Sequence, residues 1–192
     1  MVKNKIIAGV DEVGRGSWIG PVFSAAVILN KKINNNILKD SKKISYENRL
    51  KLSNYIKANS YFAIAKASVK EIEKKNILQA TLLSMSRAIN KLNKKPDLIL
   101  VDGNQVPETN KIKIKSIVKG DETIPSISAA SIIAKVARDK HIIKLSKKFK
   151  KYSWDANFGY GTKKHQEALK KFGITCHHRK TYKPVHKILS RK

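Results

Sequence analysis

Acidic residues are scarce in this 192-residue chain, 14 against 41 lysines and arginines, so where they fall is informative. Asp11 follows Ile-Ile-Ala-Gly-Val, Asp102 follows Leu-Ile-Leu-Val, and Asp121 follows Ser-Ile-Val-Lys-Gly; Glu12 adjoins the first. Each apolar run reads as a strand, which puts three carboxylates at or just beyond strand carboxyl ends. Where those ends meet, the acids converge. Carboxylates 4 Å apart repel by roughly 1 kcal/mol per pair in water and about 4 kcal/mol at an effective dielectric near 20, so a cation must fill such a group. Oxygen-only ligands suit Mg2+ or Mn2+ rather than zinc or copper. Two such ions about 3.5–4 Å apart can hold the attacking and leaving oxygens of an in-line phosphodiester displacement. The plainer alternative is that each Asp simply ends its strand as a turn residue. Adjacent Asp11 and Glu12 should point to opposite faces unless the chain leaves the strand there, so Glu12 would act from a turn or through its backbone carbonyl.

Gly14-Arg15-Gly16, with Gly20-Pro21 after it, makes a loop whose backbone N–H groups can approach a ligand closely. It is not a dinucleotide fingerprint, because the next glycine is misplaced and no helical stretch follows, and no Gly-Lys-Ser/Thr marks a nucleotide-phosphate loop. The net charge of +27 attracts polyanions and makes nucleic acid a leading partner, although an AT-rich genome would also enrich lysine. Charge alone does not separate an enzyme from a passive binder. The single cysteine, Cys176, excludes an internal disulfide and a zinc site built on several thiolates, and suits a reducing compartment such as the cytoplasm. Apolar runs are too short for a bilayer span, and the early acids argue against a secretory signal. No membrane partner is expected.

The elements that must position these residues read as follows. Strands are expected over residues 5–10, 21–29, 61–68, 97–101 and 112–118. Helices are expected over 45–57 with Ser45 as cap, over 77–92 with Leu78, Leu82, Met85, Ile89 and Leu92 on one stripe, over 126–148, and over 162–172 between Thr162 and Gly173. The Ser- and Ala-rich first half of the third helix lets it lie close on a sheet. The last dozen residues carry Val185, Ile188 and Leu189 at helical spacing and should dock. The order of elements gives an α/β fold with a mixed sheet, in one domain over residues 1–192.

At this point the residues match a known family. Ala8-Gly-Val-Asp-Glu-Val-Gly-Arg-Gly16, then Gly20-Pro-Val and Ala25-Ala-Val-Ile-Leu29, resembles the opening of bacterial ribonuclease HII, of the type 2 ribonuclease H family. Asp40-Ser41-Lys42, Val101-Asp102-Gly103, Lys119-Gly120-Asp121, Ser128-Ala-Ala-Ser-Ile-Ile-Ala-Lys-Val136, Arg138-Asp139, Gly159-Tyr160-Gly-Thr162, His165 and His178-Arg179 continue the likeness in order. The resemblance implies a ribonuclease H-like fold, a central mixed sheet flanked by helices with additional carboxyl-terminal helices. It implies hydrolysis of the RNA strand of RNA–DNA hybrids. It also implies incision 5′ to ribonucleotides embedded in duplex DNA, leaving 3′-hydroxyl and 5′-phosphate ends. By motif position Asp11, Glu12, Asp102 and Asp121 are the catalytic acids and hold two Mg2+ or Mn2+ ions, with Asp11 bridging both. Gly14, Arg15 and Gly16 would read the ribose 2′-hydroxyl, and Tyr160 would stack on the sugar just beyond the ribonucleotide. Ser41, Lys42 and Lys135 would contact phosphates, solvated lysines being the plainer reading. A monomer is expected; whether a sliding clamp recruits it is not legible here.

Asp139 ranks below Asp121 as a ligand and could pair with Arg138; His165 reads as packed or hydrogen-bonded rather than catalytic, and His178 and Arg179 as structural. Val13 stands where the family usually has alanine, and Ser17-Trp18-Ile19 replaces a proline- or leucine-bearing segment, placing Trp18 beside the reading loop. The related ribonuclease HIII carries an additional amino-terminal domain and usually threonine at the position of Arg15, which favours HII.

Overall fold

The computed structural model describes residues 5–39, 44–109 and 112–190. Five strands form one sheet: β1 (Ile7–Val13), β2 (Val22–Leu29), β3 (Ser60–Ala67), β4 (Leu98–Asp102) and β5 (Lys113–Ile117), in the order β3-β2-β1-β4-β5. β1–β2 and β2–β3 pair antiparallel, β1–β4 and β4–β5 parallel, so the sheet is mixed as expected. The helices are α1 (Asn36–Lys39), α2 (Tyr46–Ala58), α3 (Val69–Lys75), α4 (Ile77–Asn90), α5 (Gly120–Thr123) and α6 (Pro125–Lys148), followed by α7 (Trp154–Asn157), α8 (Lys163–Phe172) and α9 (Lys183–Leu189). Ser45 and Thr162 cap α2 and α8 by accepting from the N–H groups of Asn48 and His165.

α4 covers one face of the sheet, where Met85, Ala88 and Ile89 pack on Ala8, Val10, Ala26, Ile99 and Val101. α6 covers the other, where Ala129, Ala130 and Ile133 pack on Ala25 and Val27. β2 is therefore buried on both sides, which is why its sequence is an almost unbroken apolar run. The small residues of α6 do what their size allows. A Cβ built on Gly9 would stand 2.1 Å from the carbonyl carbon of Ser126 and 2.3 Å from the nitrogen of Ile127, so the helix backbone rests directly on β1. α9 docks through Val185, which is fully buried.

Besides the short helices α1, α5 and α7, which the sequence does not predict, two features differ from expectation. β1 does not stop at the acidic pair but runs through Asp11 and Glu12 to Val13. Its antiparallel partner explains this: Asp11 pairs with Ala25, Glu12 with Ser24 and Val13 with Phe23, extending the ladder beyond Val10↔Val101, where pairing with β4 stops. Glu12 thus lies in the strand and not in a turn. The second is α3, begun by a capping box in which Ser68 and Glu71 exchange bonds with each other's backbone N–H. Among the described residues, no helix is long and apolar enough to cross a membrane.

Candidate active site

Val10 and Val101 are register partners on parallel strands, so the residues that follow them, Asp11 and Asp102, extend from the carboxyl ends of neighbouring strands. Asp11 lies on the Gly9 face, beneath α6, where the Ser131 hydroxyl favours its charged form. It is only 5% exposed. The Glu12 N–H donates to its Oδ1 at 2.6 Å. Burial, then the charges of Glu12 and Asp102, push the Asp11 carboxyl well above the usual range. Burial also raises Glu12, with Asp102 adding to the effect. Arg15 opposes it from 3.5 Å. Asp102 turns its Oδ1 to the N–H groups of Gly120 at 2.7 Å and Asp121 at 3.4 Å, tying the head of α5 to the end of β4. Three of the four predicted acids thus feel one another's charge, and Asp121 joins them through its backbone.

Among the described residues, no three or more His, Cys, Asp or Glu side chains are drawn together closely enough to close on one metal ion. The donor set still fits a hard divalent cation. It consists of carboxylate oxygens, and for Asp11 and Glu12 the charged forms are disfavoured by burial and nearby carboxylates, which a cation relieves.

Past β1 the chain enters the Gly14–Gly16 turn. The side chain of Arg138 lies directly beneath Gly14, whose added Cβ would meet its Nε at 2.6 Å. Arg138 is fully buried, donates to the Phe158 carbonyl at 2.6 Å, and sits 5.0 Å from the centre of the Tyr160 ring. Tyr160 is 36% exposed, and a Cβ on Gly16 would lie 3.9 Å from its Cε1. The predicted ribose reader and the predicted stacking ring are therefore neighbours.

Gly159 makes this possible: its φ is +75°, and a Cβ there would stand 2.2 Å from Cγ1 of Ile19. Trp18 packs under Gly161 and against His165, with ring centres 5.4 Å apart in the latter pair, and its N–H donates to the Gly159 carbonyl at 2.9 Å. It joins the two loops from below.

His165 and His178 form the support behind Tyr160. His165 Nδ1 lies 3.0 Å from the Tyr160 carbonyl, which only accepts, so that nitrogen carries the proton. Its Nε2 then accepts from Trp154 Nε1 at 3.1 Å and from His178 Nε2 at 3.2 Å. His178 Nδ1 accepts the Thr175 N–H at 2.8 Å, which leaves its proton on Nε2 as this chain of bonds requires. Both rings are neutral and fully buried. Burial and the neighbouring His165 hold His178 down to about 3. The structural reading of His165, His178 and Arg179 holds. Asp139 pairs with Lys135 at 2.9 Å and lies 3.6 Å from Arg138, in keeping with a structural partner.

Ser41 and Lys42 lie outside the described residues. Sequence reasoning gave no role to Ser131 or to the pinning of the loop by the segment around Arg179. Ser131 had a signal, the run of small residues Ser128-Ala129-Ala130-Ser131 near the start of α6. The loop's partners, more than 150 positions away, had none in periodicity or spacing.

Comparison with known proteins agrees with this geometry. The family model described as ribonuclease HII matches residues 8–187. A ribonuclease HII from Pelagibacter ubique (strain HTCC1062) is 60% identical over 185 residues, covering 96% of this chain and 100% of the relative. The crystal structure of ribonuclease H2 from Pyrococcus horikoshii OT3 superposes with a TM-score of 0.82 at 28% identity, covering 96% of this chain and 97% of that one. The ribonuclease HII of Archaeoglobus fulgidus, solved in a complex with PCNA, gives 0.79 at 27% identity, with 95% and 96% covered. Five mixed strands between α4 and α6 are thus a ribonuclease H-like α/β fold. The chain belongs to the ribonuclease HII family, metal-dependent endoribonucleases that degrade the RNA of RNA–DNA hybrids.

Proposed function

We propose that this enzyme also incises duplex DNA on the 5′ side of an embedded ribonucleotide, leaving 3′-hydroxyl and 5′-phosphate ends. The observation that carries this reading is an adjacency. The Asp11–Glu12 pair leads within two residues into the Gly14–Gly16 turn, and the exposed edge of Tyr160 stands beside Gly16. A group that can recognise a ribose and a ring that can stack on the next sugar are thereby held at a fixed place relative to the carboxylates.

In this reading Asp11, Glu12, Asp102 and Asp121 would hold two divalent ions, Mg2+ or Mn2+. When bound, the ions supply Lewis-acid stabilisation of the attacking water and of the leaving 3′-oxygen. Ser131 and the Glu12 N–H orient the Asp11 carboxylate. Backbone N–H groups of Gly14, Arg15 and Gly16 read the 2′-hydroxyl, the group that distinguishes RNA from DNA. The half-exposed Arg15 side chain, together with Ser41 and Lys42, contacts phosphates. Tyr160 senses the step from ribose to deoxyribose. The reading extends to a monomer of one catalytic domain acting in the cytoplasm, in keeping with the single cysteine. A sliding clamp, the partner seen with the Archaeoglobus relative, is a partner to test.

The test is product mapping on a duplex carrying one ribonucleotide. A single cut on its 5′ side is expected with Mg2+ or Mn2+ and none with chelator. Cleavage of continuous hybrids with no cut at the lone ribonucleotide would overturn the proposal.

A further inference from the structure

The Gly14–Gly16 turn is shaped by a segment far along the chain. Arg179 is fully buried, and its Nη1 donates to the Arg15 carbonyl at 2.8 Å and to the Tyr182 hydroxyl at 2.8 Å, while its Nε donates to the Gly20 carbonyl at 3.0 Å. A guanidinium cannot accept, so the Tyr182 oxygen takes the bond from Arg179 and turns its own hydrogen to the same Arg15 carbonyl. The Arg179 N–H holds the Trp18 carbonyl at 2.8 Å, and the Gly20 N–H donates to the His177 carbonyl at 2.9 Å. The chain leaving the turn is therefore fastened, and the Arg15 carbonyl is held by two donors.

In a trans peptide the C=O and the N–H lie in one plane and point in opposite directions. Fixing the Arg15 carbonyl inward thus turns the N–H of Gly16 outward, and Gly16 is exposed. We infer that Arg179 and Tyr182 are positioning residues for ribose recognition. They hold the Arg15–Gly16 peptide so that the Gly16 N–H faces the 2′-hydroxyl. This rests on the proposal that the turn reads that hydroxyl. It makes the discrimination between RNA and DNA depend on a buried pair that never touches the substrate.

The experiment compares dissociation constants, with metal chelated so that nothing is cut, for a duplex holding one ribonucleotide and for the all-DNA duplex of the same sequence. Wild type, Tyr182→Phe, Arg179→Lys and Gly16→Ala are measured, each with its melting temperature. Tyr182→Phe keeps the ring and deletes one bond. It should lower the ribo-to-deoxy preference about fivefold with the DNA affinity unchanged. Arg179→Lys, which cannot make the forked contact, should lower it further. If wild type shows no preference, or Gly16→Ala leaves it intact, the reading of the turn falls. If wild type discriminates and Gly16→Ala abolishes the preference but Tyr182→Phe does not alter it, the positioning role falls. Equal weakening on both duplexes with a lowered melting temperature would likewise overturn it, leaving Tyr182 a purely structural residue.

Discussion

Replacing Asp11 with Asn should stabilise the metal-free protein while abolishing turnover. Asp11 is buried and feels the charges of both Glu12 and Asp102. Two unit charges 5 Å apart at an effective dielectric near 20 repel by about 3 kcal/mol, an upper value here because Glu12 and Asp102 keep some contact with solvent. Burial of the charge adds to this. Asn keeps an oxygen to accept the Glu12 N–H and gains an amide that can donate to the neighbouring carboxylates. A net gain of about 1–3 kcal/mol follows, and for a chain of this size that is roughly 3–10 °C in Tm. Thermal melts in chelator at neutral pH provide the assay. Repeating them with Mg2+ should narrow the gap, because an ion that binds only the folded wild-type site stabilises that protein by mass action. Binding of hybrid should largely survive, since lysines and arginines supply most phosphate affinity. If Asp11→Asn melts at or below wild type without metal, the picture of an electrostatically strained carboxylate site is wrong.

Gly9→Ala should cost about 3 kcal/mol or more, because the new methyl meets helix backbone rather than a flexible side chain; chemical denaturation measures it, and a loss under 1 kcal/mol would contradict the contact. Tyr160→Ala should lose more activity on single embedded ribonucleotides than on continuous hybrids, and equal losses would refute junction sensing. His178 protonates near 3 in the folded chain against about 6.5 unfolded, so the unfolded state takes the proton first. Its contribution is whole above about pH 6.5 and falls by up to about 1.4 kcal/mol per unit as pH drops toward 3. Since Asp11 and Glu12 shift the opposite way, the comparison is with His178→Gln, whose stability should fall less steeply between pH 7 and 5. Parallel slopes would sink the neutral histidine pair.

What could be read ahead of the structure follows from how far each signal reaches. Branched apolar runs are local, and all five strands lie where they do. Helix caps are local too, hence Ser45, Thr162 and Gly173. The carboxyl end of β1 was misjudged because an acidic pair looks like a strand end, whereas the ladder to Ala25, Ser24 and Phe23 holds the chain extended. α3 escaped although Ser68 and Glu71 carry its signal, a capping box three residues apart in a stretch too short to show periodicity. The convergence of Asp11, Glu12 and Asp102 was legible because charge is costly among apolar residues and strand ends gather. Arg179 and Tyr182 were not, since their partner is the Arg15 carbonyl, an atom every residue possesses.

If the turn reads the ribose as proposed, the position of the cut follows from the continuity of β1. Asp11 belongs to the central strand, clamped by β2 on one side, neighboured by β4 on the other and pressed from above by α6. From Asp11 to Gly14 the chain advances by no more than about 10 Å. No hinge separates the carboxylates from the reader. The strand is hydrogen-bonded as far as Val13, and the turn that follows is fastened by Arg138 beneath Gly14 and by Arg179 at Arg15. A reader on an independent loop would leave the scissile phosphate free to shift relative to the recognised ribose. Here the offset is set by covalent geometry and a strand ladder, so weakening the turn should reduce how often the enzyme cuts before it changes where it cuts.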